Sequence, residues 1–353
     1  MAAVGPARLT SGSLLPYRHS LGGVRNVAVC GVLAALLVLT STLALSVGEF
    51  PLPLPEVLRA LVGLPSSAEL IVLELRLPRV LTGIAAGAAL GLAGAIFQAV
   101  IRNPLASPDL IGVTAGGSLG AVAAITLAGI SAVWVPVLAL VGAAVAGTLV
   151  YVLAWRRGIA LSRLVVIGIA LGGTGFAAGA LNSLTSLLVA KADITDAQEA
   201  TVWLTGSLHG RDLDMAVPPL LALLVALPLV PVAARTLRAL SLGDDVAAGL
   251  GTHLARARLA LLALGVGLAA TATAAVGAVN FVALGAPQIA RRLTRTSIEP
   301  LVASALTGAL VVTAADLLAR RAFAPVELPV GVFTAAIGAP YLLWLLTRAG
   351  GVR

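Results

Sequence analysis

The chain has 353 residues, 59% of them hydrophobic and only 11% charged, with a net charge of +8. Soluble domains carry about 25% charged residues, so the composition excludes an ordinary soluble fold. Roughly 208 apolar residues at about 20 per helix set a ceiling near ten membrane spans.

Residues 1–25 hold Arg8, Arg18, His19 and Arg25 among Gly, Pro and Ser, and read as a flexible cytoplasmic tail. Residues 26–353 read as a single transmembrane domain. The first apolar run, 27–47, is too long for the core of a typical signal peptide and shows no clear cleavage site, so it is the first predicted span. Further runs at 79–101, 109–129, 133–154, 162–189, 215–234, 258–277, 279–293, 301–320 and 328–347 complete ten spans of an all-α polytopic membrane protein. The eighth is short and its boundary near 277–281 is soft, as in a tilted or broken helix. Two connections read as short interfacial helices. One is the Pro-rich stretch 51–64; the other is 193–208, which opens on an Asp/Thr cluster and carries Trp203 as an interfacial anchor. Between the sixth and seventh spans, 235–258 is the longest polar inner loop.

Orientation follows from basic residues, which concentrate on the cytoplasmic side. With the N-terminus inside, sixteen of the 23 Lys and Arg residues fall inside. Arg59, Arg76, Arg79, Lys191, Arg211, Arg320 and Arg321 fall outside, with most of the acids. Both termini are then cytoplasmic. The basic balance marks topology, and no nucleic-acid partner is expected. Cys30, the only cysteine, reads as a packing residue; no disulfide and no metal site are expected.

Gly83, Gly87 and Gly91 form a small-residue stripe suited to close helix packing. Gly116-Gly117-Ser118-Leu119-Gly120 matches the serine-hydrolase pattern G-x-S-x-G, but lies inside a span and lacks a histidine partner. Asp244 and Asp245 read as the N-terminus of a short helix ended by Gly251, since acids there complement the helix dipole. A phosphate-binding loop needs a lysine, and the only one, Lys191, is followed by Ala. ATP-driven transport would therefore need another chain. Asp316 and Arg320 are one turn apart and can pair. Gln98, Asn182 and Asn280 are candidates for lining a pathway, with Gln288 a further polar residue near a span.

Several segments together resemble the FecCD/BtuC family of importer permeases. They are Leu75-Arg76-Leu77-Pro78-Arg79, Gly87 through Gly94, Gln98, and Arg102-Asn103-Pro104-Leu105-Ala106-Ser107-Pro108. Later come Leu242-Gly243-Asp244-Asp245 with Leu250-Gly251, Ala286-Pro287-Gln288, and Glu327-Leu328-Pro329-Val330-Gly331 with Gly338-Ala339-Pro340. The likeness covers nearly the whole chain after the tail and is strongest, at 102–111 and 329–346, toward the ferric-enterobactin members. Gln288 departs from the His that many members carry.

The resemblance implies ten helices in a BtuC-like fold and a permease dimer, of this chain with itself or with a paralogue. It also implies two cytoplasmic ATPase subunits and a periplasmic or lipoprotein substrate-binding protein. ATP would be bound by the partner ATPases, with no cofactor in this chain and no catalytic residue. The expected cargo is an iron–siderophore complex, taken across the bacterial inner membrane. The resemblance further implies that Arg76, Arg79 and Arg320 form a basic pocket receiving a carboxylate from each lobe of the binding protein. The loop at about 240–258, through Asp244, Asp245, Leu250, Gly251, Arg256 and Arg258, would meet the ATPase. A cobalamin or haem importer permease is the alternative within the family. A secondary carrier would need a midplane ion site, and nearly all acids lie at the edges. An intramembrane enzyme would need a His or carboxylate cluster that the sequence does not offer.

Overall fold

A computed structural model describes residues 19–48, 50–127, 134–154, 176–296, 299–323 and 326–349, and every regular element among them is helical. In chain order these are α1 (His19–Ser46), α2 (Leu54–Leu61), α3 (Leu77–Ile101), α4 (Val113–Leu127), α5 (Val135–Ala154), α6 (Phe176–Lys191) and α7 (Ile194–Thr205). They continue with α8 (Leu213–Ser241), α9 (Asp244–Gly249), α10 (Leu254–Val276), α11 (Val282–Thr294), α12 (Leu301–Arg321) and α13 (Val330–Ala349). A π-helical turn, Ile71–Arg76, leads into α3, and a 3₁₀ turn, Pro108–Ile111, into α4.

The ten predicted spans correspond to α1, α3, α4, α5, α6, α8, α10, α11, α12 and α13. The fifth lies partly outside the described residues, and so does the tail before His19. Residues 19–25, expected in that tail, are already helical. Among the described residues, five stretches are long and apolar enough to cross a membrane: Gly23–Ser46, Ile71–Ile101, Leu213–Ser241, Leu254–Val276 and Leu301–Arg321. The apolar stretches of α4, α5 and α13 are shorter, and α11 has only 13 residues, with Arg291 and Arg292 in its last turn. The protein is a multi-pass helical membrane protein.

Helix α3 is the axis. In its most apolar window 83% of the residues are buried, against 11% in α1 and 17% in α8. It is enclosed by α8, α10, α11 and α12, while α1 and α8 show most of their apolar surface outward. Lipid supplies no hydrophobic drive between helices, so close approach through small residues must supply dispersion instead. The stripe does this. A Cβ at Gly87 would stand 2.5 Å from the Gly308 carbonyl oxygen of α12, one at Gly91 would run into the Ser304 carbonyl, and one at Gly94 into that of Ala283. The G-x-S-x-G segment is packing of the same kind. Gly116 and Gly120 lie against Gly142 and Leu138 of α5, with Ser118 buried between them.

The soft boundary near 277–281 is a true break between α10 and α11, with Gly277 (φ 80°) and Phe281 (φ 67°) in left-handed conformation. Exposed peptide groups at membrane depth must find partners within the protein. Here Ser207 N–H donates to Val276 O (2.9 Å) and Gly331 N–H to Gly206 O (3.1 Å), so three chain segments cross at the break. Both short helices expected in these connections exist, as α2 and α7. Trp203, however, is not an interfacial anchor: it is 4% exposed and packs with Ala121, Val122 and Ile125 of α4 and Ala274 of α10. The Gly206 turn (φ 74°) and the crossing at 276–279 fold the end of α7 inward.

Candidate functional site

Two clusters of charge lie at opposite ends of α3, named outer and inner here by the distribution of basic residues. At the outer end a cleft of about 710 Å³ is lined by Arg76, Arg79, His209, Arg320 and Glu327, with Phe50 and Leu328 among its apolar walls. Arg76 closes the π-helical turn, and Arg79 sits in the first turn of α3. That places both on the face that looks into the cleft.

Their surroundings differ. Arg76 is 7% exposed and donates to the Leu45 and Phe50 carbonyls (2.7 and 2.6 Å), so it clamps the α1–α2 connection. Arg79 is bound by two carboxylates. Its Nε and Nη2 reach Asp316 Oδ1 (3.0 and 2.9 Å), and its Nη1 reaches Glu327 Oε2 (2.9 Å). Arg320 Nη2 lies 3.0 Å from Asp316 Oδ2, the pairing expected one helical turn apart. Its Nη1 donates to the Ala44 carbonyl (3.3 Å), and its Nε is buried without an acceptor, the side chain being 7% exposed. His209 Nδ1 stands 2.9 Å from Glu327 Oε2. Burial raises the Glu327 pKa, but Arg79, with help from His209, outweighs it and holds this carboxyl below its usual range.

At the inner end Asp244 opens α9, between Gly243 (φ 107°) and, past the helix, Gly251 (φ 82°). The expected short helix is therefore present, with Leu250 as its C-cap. Val246 and Leu250 expose their side chains to solvent, at 50% and 65%. Arg256 is exposed and Arg258 is buried, so the two do not present one surface. Arg258 turns back to Asp244 (Nη2 to Oδ1 2.7 Å, to Oδ2 2.8 Å), and Arg102 reaches the same Oδ1 at 2.8 Å. Hydrogen bonding from Arg258, with the charge of Arg102 beside it, keeps the Asp244 carboxyl below its ordinary range.

The three pathway candidates do not converge. Gln98 is buried, donates to the Leu284 carbonyl (3.0 Å) and accepts from Gln288, tying α3 to α11. Asn182 is exposed on α6 and Asn280 in the α10–α11 break. No group of three metal-ligating side chains occurs among the described residues.

Residues 36–348 match the FecCD transport family. The chain belongs to that family. It is 39% identical over 325 residues to the ferric enterobactin transport system permease protein FepG of Escherichia coli (strain K12), covering 92% of this chain and 97% of that protein. It is 42% identical over 319 residues to the Fe(3+)-citrate import system permease protein YfmE of Bacillus subtilis (strain 168), covering 89% and 93%. Among solved structures it is similar to a metal-chelate type ABC transporter in an inward-facing conformation, with TM-score 0.77 and 28% identity over 91% of this chain and 99% of that one.

In this FecCD-family chain the sequence reading missed the roles of His209 and Arg102. His209 carried no local signal, because its partner Glu327 is 118 positions away. Arg102 was visible only within a motif, and its partner Asp244 is 142 positions away.

Proposed function

We propose that this FecCD-family protein is the membrane-spanning permease subunit of an ATP-binding-cassette importer. In this reading it carries ferric–siderophore complexes across the bacterial inner membrane. It pairs with a second permease, of its own kind or a paralogue. Two cytoplasmic ATPase subunits bind the ATP, and an outer substrate-binding protein delivers the cargo. The observation that carries the reading is the furnishing of the two ends. A buried cation cluster opens outward, and a short helix with exposed apolar side chains projects inward. The relatives named for ferric enterobactin and Fe(3+)-citrate support an iron chelate as cargo.

Arg320 is the best-placed receptor for a binding-protein carboxylate, because its Nε is desolvated without an acceptor and its other nitrogens hold only one Asp316 oxygen and a long contact to the Ala44 carbonyl, a costly state that an incoming anion relieves. Arg76 and Arg79 shape and charge the same cleft. Alternating access then follows from partners that contact two conformations differently. A strain lacking this gene should lose uptake of at least one iron-loaded siderophore. Retained siderophore uptake with lost cobalamin uptake would overturn the cargo assignment. For docking, Arg320→Gln should weaken binding-protein affinity in nanodiscs by at least about tenfold, and Arg320→Lys should weaken it less. Equal affinity in all three proteins would remove Arg320 from the interface.

A further inference from the structure

Helix α9 has six residues, too few to hold its own conformation in water. Among its residues only Ala247 is buried, so its strongest attachment to the bundle is the carboxylate of Asp244. That carboxylate ties two long helices together directly and a third through Arg102. Arg102 comes from the C-cap of α3, where its backbone is left-handed (φ 55°), and its Nη2 also donates to the Leu240 carbonyl in the last turn of α8 (2.5 Å). Arg258 comes from the first turns of α10, and its side chain is 7% exposed against 43% for Asp244. With its Nε lacking an acceptor, Arg258 is held in place by Asp244 from the solvent side. Both guanidiniums meet α9 at its N-terminus, where the acid also complements the helix dipole. The α3 helix so attached carries Arg79, and through it Asp316 and Glu327, at its other end.

We propose that Asp244 is a positioning residue for energy coupling: with Arg102 and Arg258 it pins α9 to α3 and α10, so that force on α9 is delivered to the helix that ends in the outer cleft. This deepens the proposed function, since it rests on α9 being where the ATPase docks. Asp244 and Arg258 then act by holding α9, and the exposed Val246 and Leu250 do the touching. The sharing matters, because Oδ1 is taken by two guanidiniums while Nη2 of Arg258 alone spans both oxygens, so removing the carboxylate charge releases both arginines together.

The test uses the assembled importer, with its second permease, ATPases and binding protein, in nanodiscs. Three quantities are read: ATPase retained on size exclusion, the ratio of binding-protein-stimulated to basal ATP hydrolysis, and uptake. Asp244→Asn removes the charge but keeps the shape. The ATPase should remain bound, while the stimulation ratio falls to near one and uptake drops on the order of tenfold or more. Asp244→Glu should recover part of both. Where Asp244→Asn does not insert, Arg258→Gln removes the charge that Nη2 brings to both carboxylate oxygens and should lower the same ratio. Normal stimulation and uptake in Asp244→Asn, or in Arg258→Gln, would overturn the proposal, and so would loss of the bound ATPase in Asp244→Asn. The underlying docking assignment is tested separately by Val246→Asp with Leu250→Asp. That protein should fail to retain the ATPase; if it retains it, α9 is not the docking element whatever Asp244 does.

Discussion

Replacing Gly91 by Ala adds one methyl group at the contact between α3 and α12, and the structure fixes the sign of its effect. The new Cβ would overlap the Ser304 carbonyl oxygen, with the carbonyl carbon at 3.0 Å and the Gly308 Cα at 3.3 Å. These are backbone atoms, so no side chain can rotate away and the two helices must separate. Overpacking of this kind costs about 1–3 kcal/mol, offset by about 0.5–1 kcal/mol from removing a mid-helix glycine. Because the overlap is with backbone, the upper part of the overpacking range applies, and the net expectation is a loss of about 2 kcal/mol. Gly31 in α1 is the control. It is exposed, and a Cβ there meets nothing within 4 Å, so Gly31→Ala should gain about 0.5–1 kcal/mol. Reversible denaturation in mixed micelles, followed by circular dichroism, would read both. Equal stability of the two variants, or a Gly91→Ala protein as stable as the parent, would refute a packing role for the stripe.

Three further outcomes follow. Asp316→Asn leaves Arg79 with Glu327 alone and Arg320 with no carboxylate, so it should destabilise the protein by about 3 kcal/mol, read by the same denaturation; an unchanged midpoint would contradict it. Ser118→Ala removes the hydroxyl of the hydrolase-like motif at a site where glycine packing sets the contact, so uptake and expression should stay at the parent level, and an inactive variant would reopen the catalytic reading. The pinning of α9 should not vary with pH above the ordinary carboxylate range. The Asp244 carboxyl is depressed in the folded protein, so its contribution is present above the unfolded pKa of about 3.9 and lost only as pH falls through the lower folded value. Measured from pH 5 to 8, the stimulation ratio of wild type relative to Asp244→Asn should therefore stay flat, and a drop in that window would implicate another group.

What could be read in advance was what depends on local pattern. Apolar runs and their Pro, Gly and Arg boundaries placed the spans. The acids at 244–245 and Gly251 placed α9, and the spacing of Gly83, Gly87 and Gly91 placed the stripe. What could not be read was which way a side chain turns once helices cross. Trp203 has the composition of an interfacial anchor, but a left-handed glycine three residues on bends its segment into the bundle. Arg256 and Arg258 were paired by proximity in the chain. Two positions apart on a helix is about 200°, so once α10 starts at Leu254 one of them must face outward and the other inward. That signal was present in the sequence, whereas the 142-residue reach from Arg102 to Asp244 was not.

The outer cluster bears on function because stability gives little reason for it. Two guanidiniums and one carboxylate lie within a few ångströms of each other at 5–11% side-chain exposure. Desolvating such groups costs several kcal/mol per ion, and well-packed apolar residues commonly do as well or better in the same volume. Within the cluster the acids are distributed unevenly. Arg79 takes two carboxylates, Arg76 takes two main-chain carbonyls, and Arg320 takes a share of the Asp316 carboxylate and a weak carbonyl contact at 3.3 Å, with its Nε unmet. A cluster optimised for the isolated chain would have met the buried Nε of Arg320 with an acceptor as well. Arg320 is thus the guanidinium of the cluster least supplied with acceptors, and the proposed docking of a second molecule's acid rests on that shortfall, beside an Arg79 already held by two carboxylates.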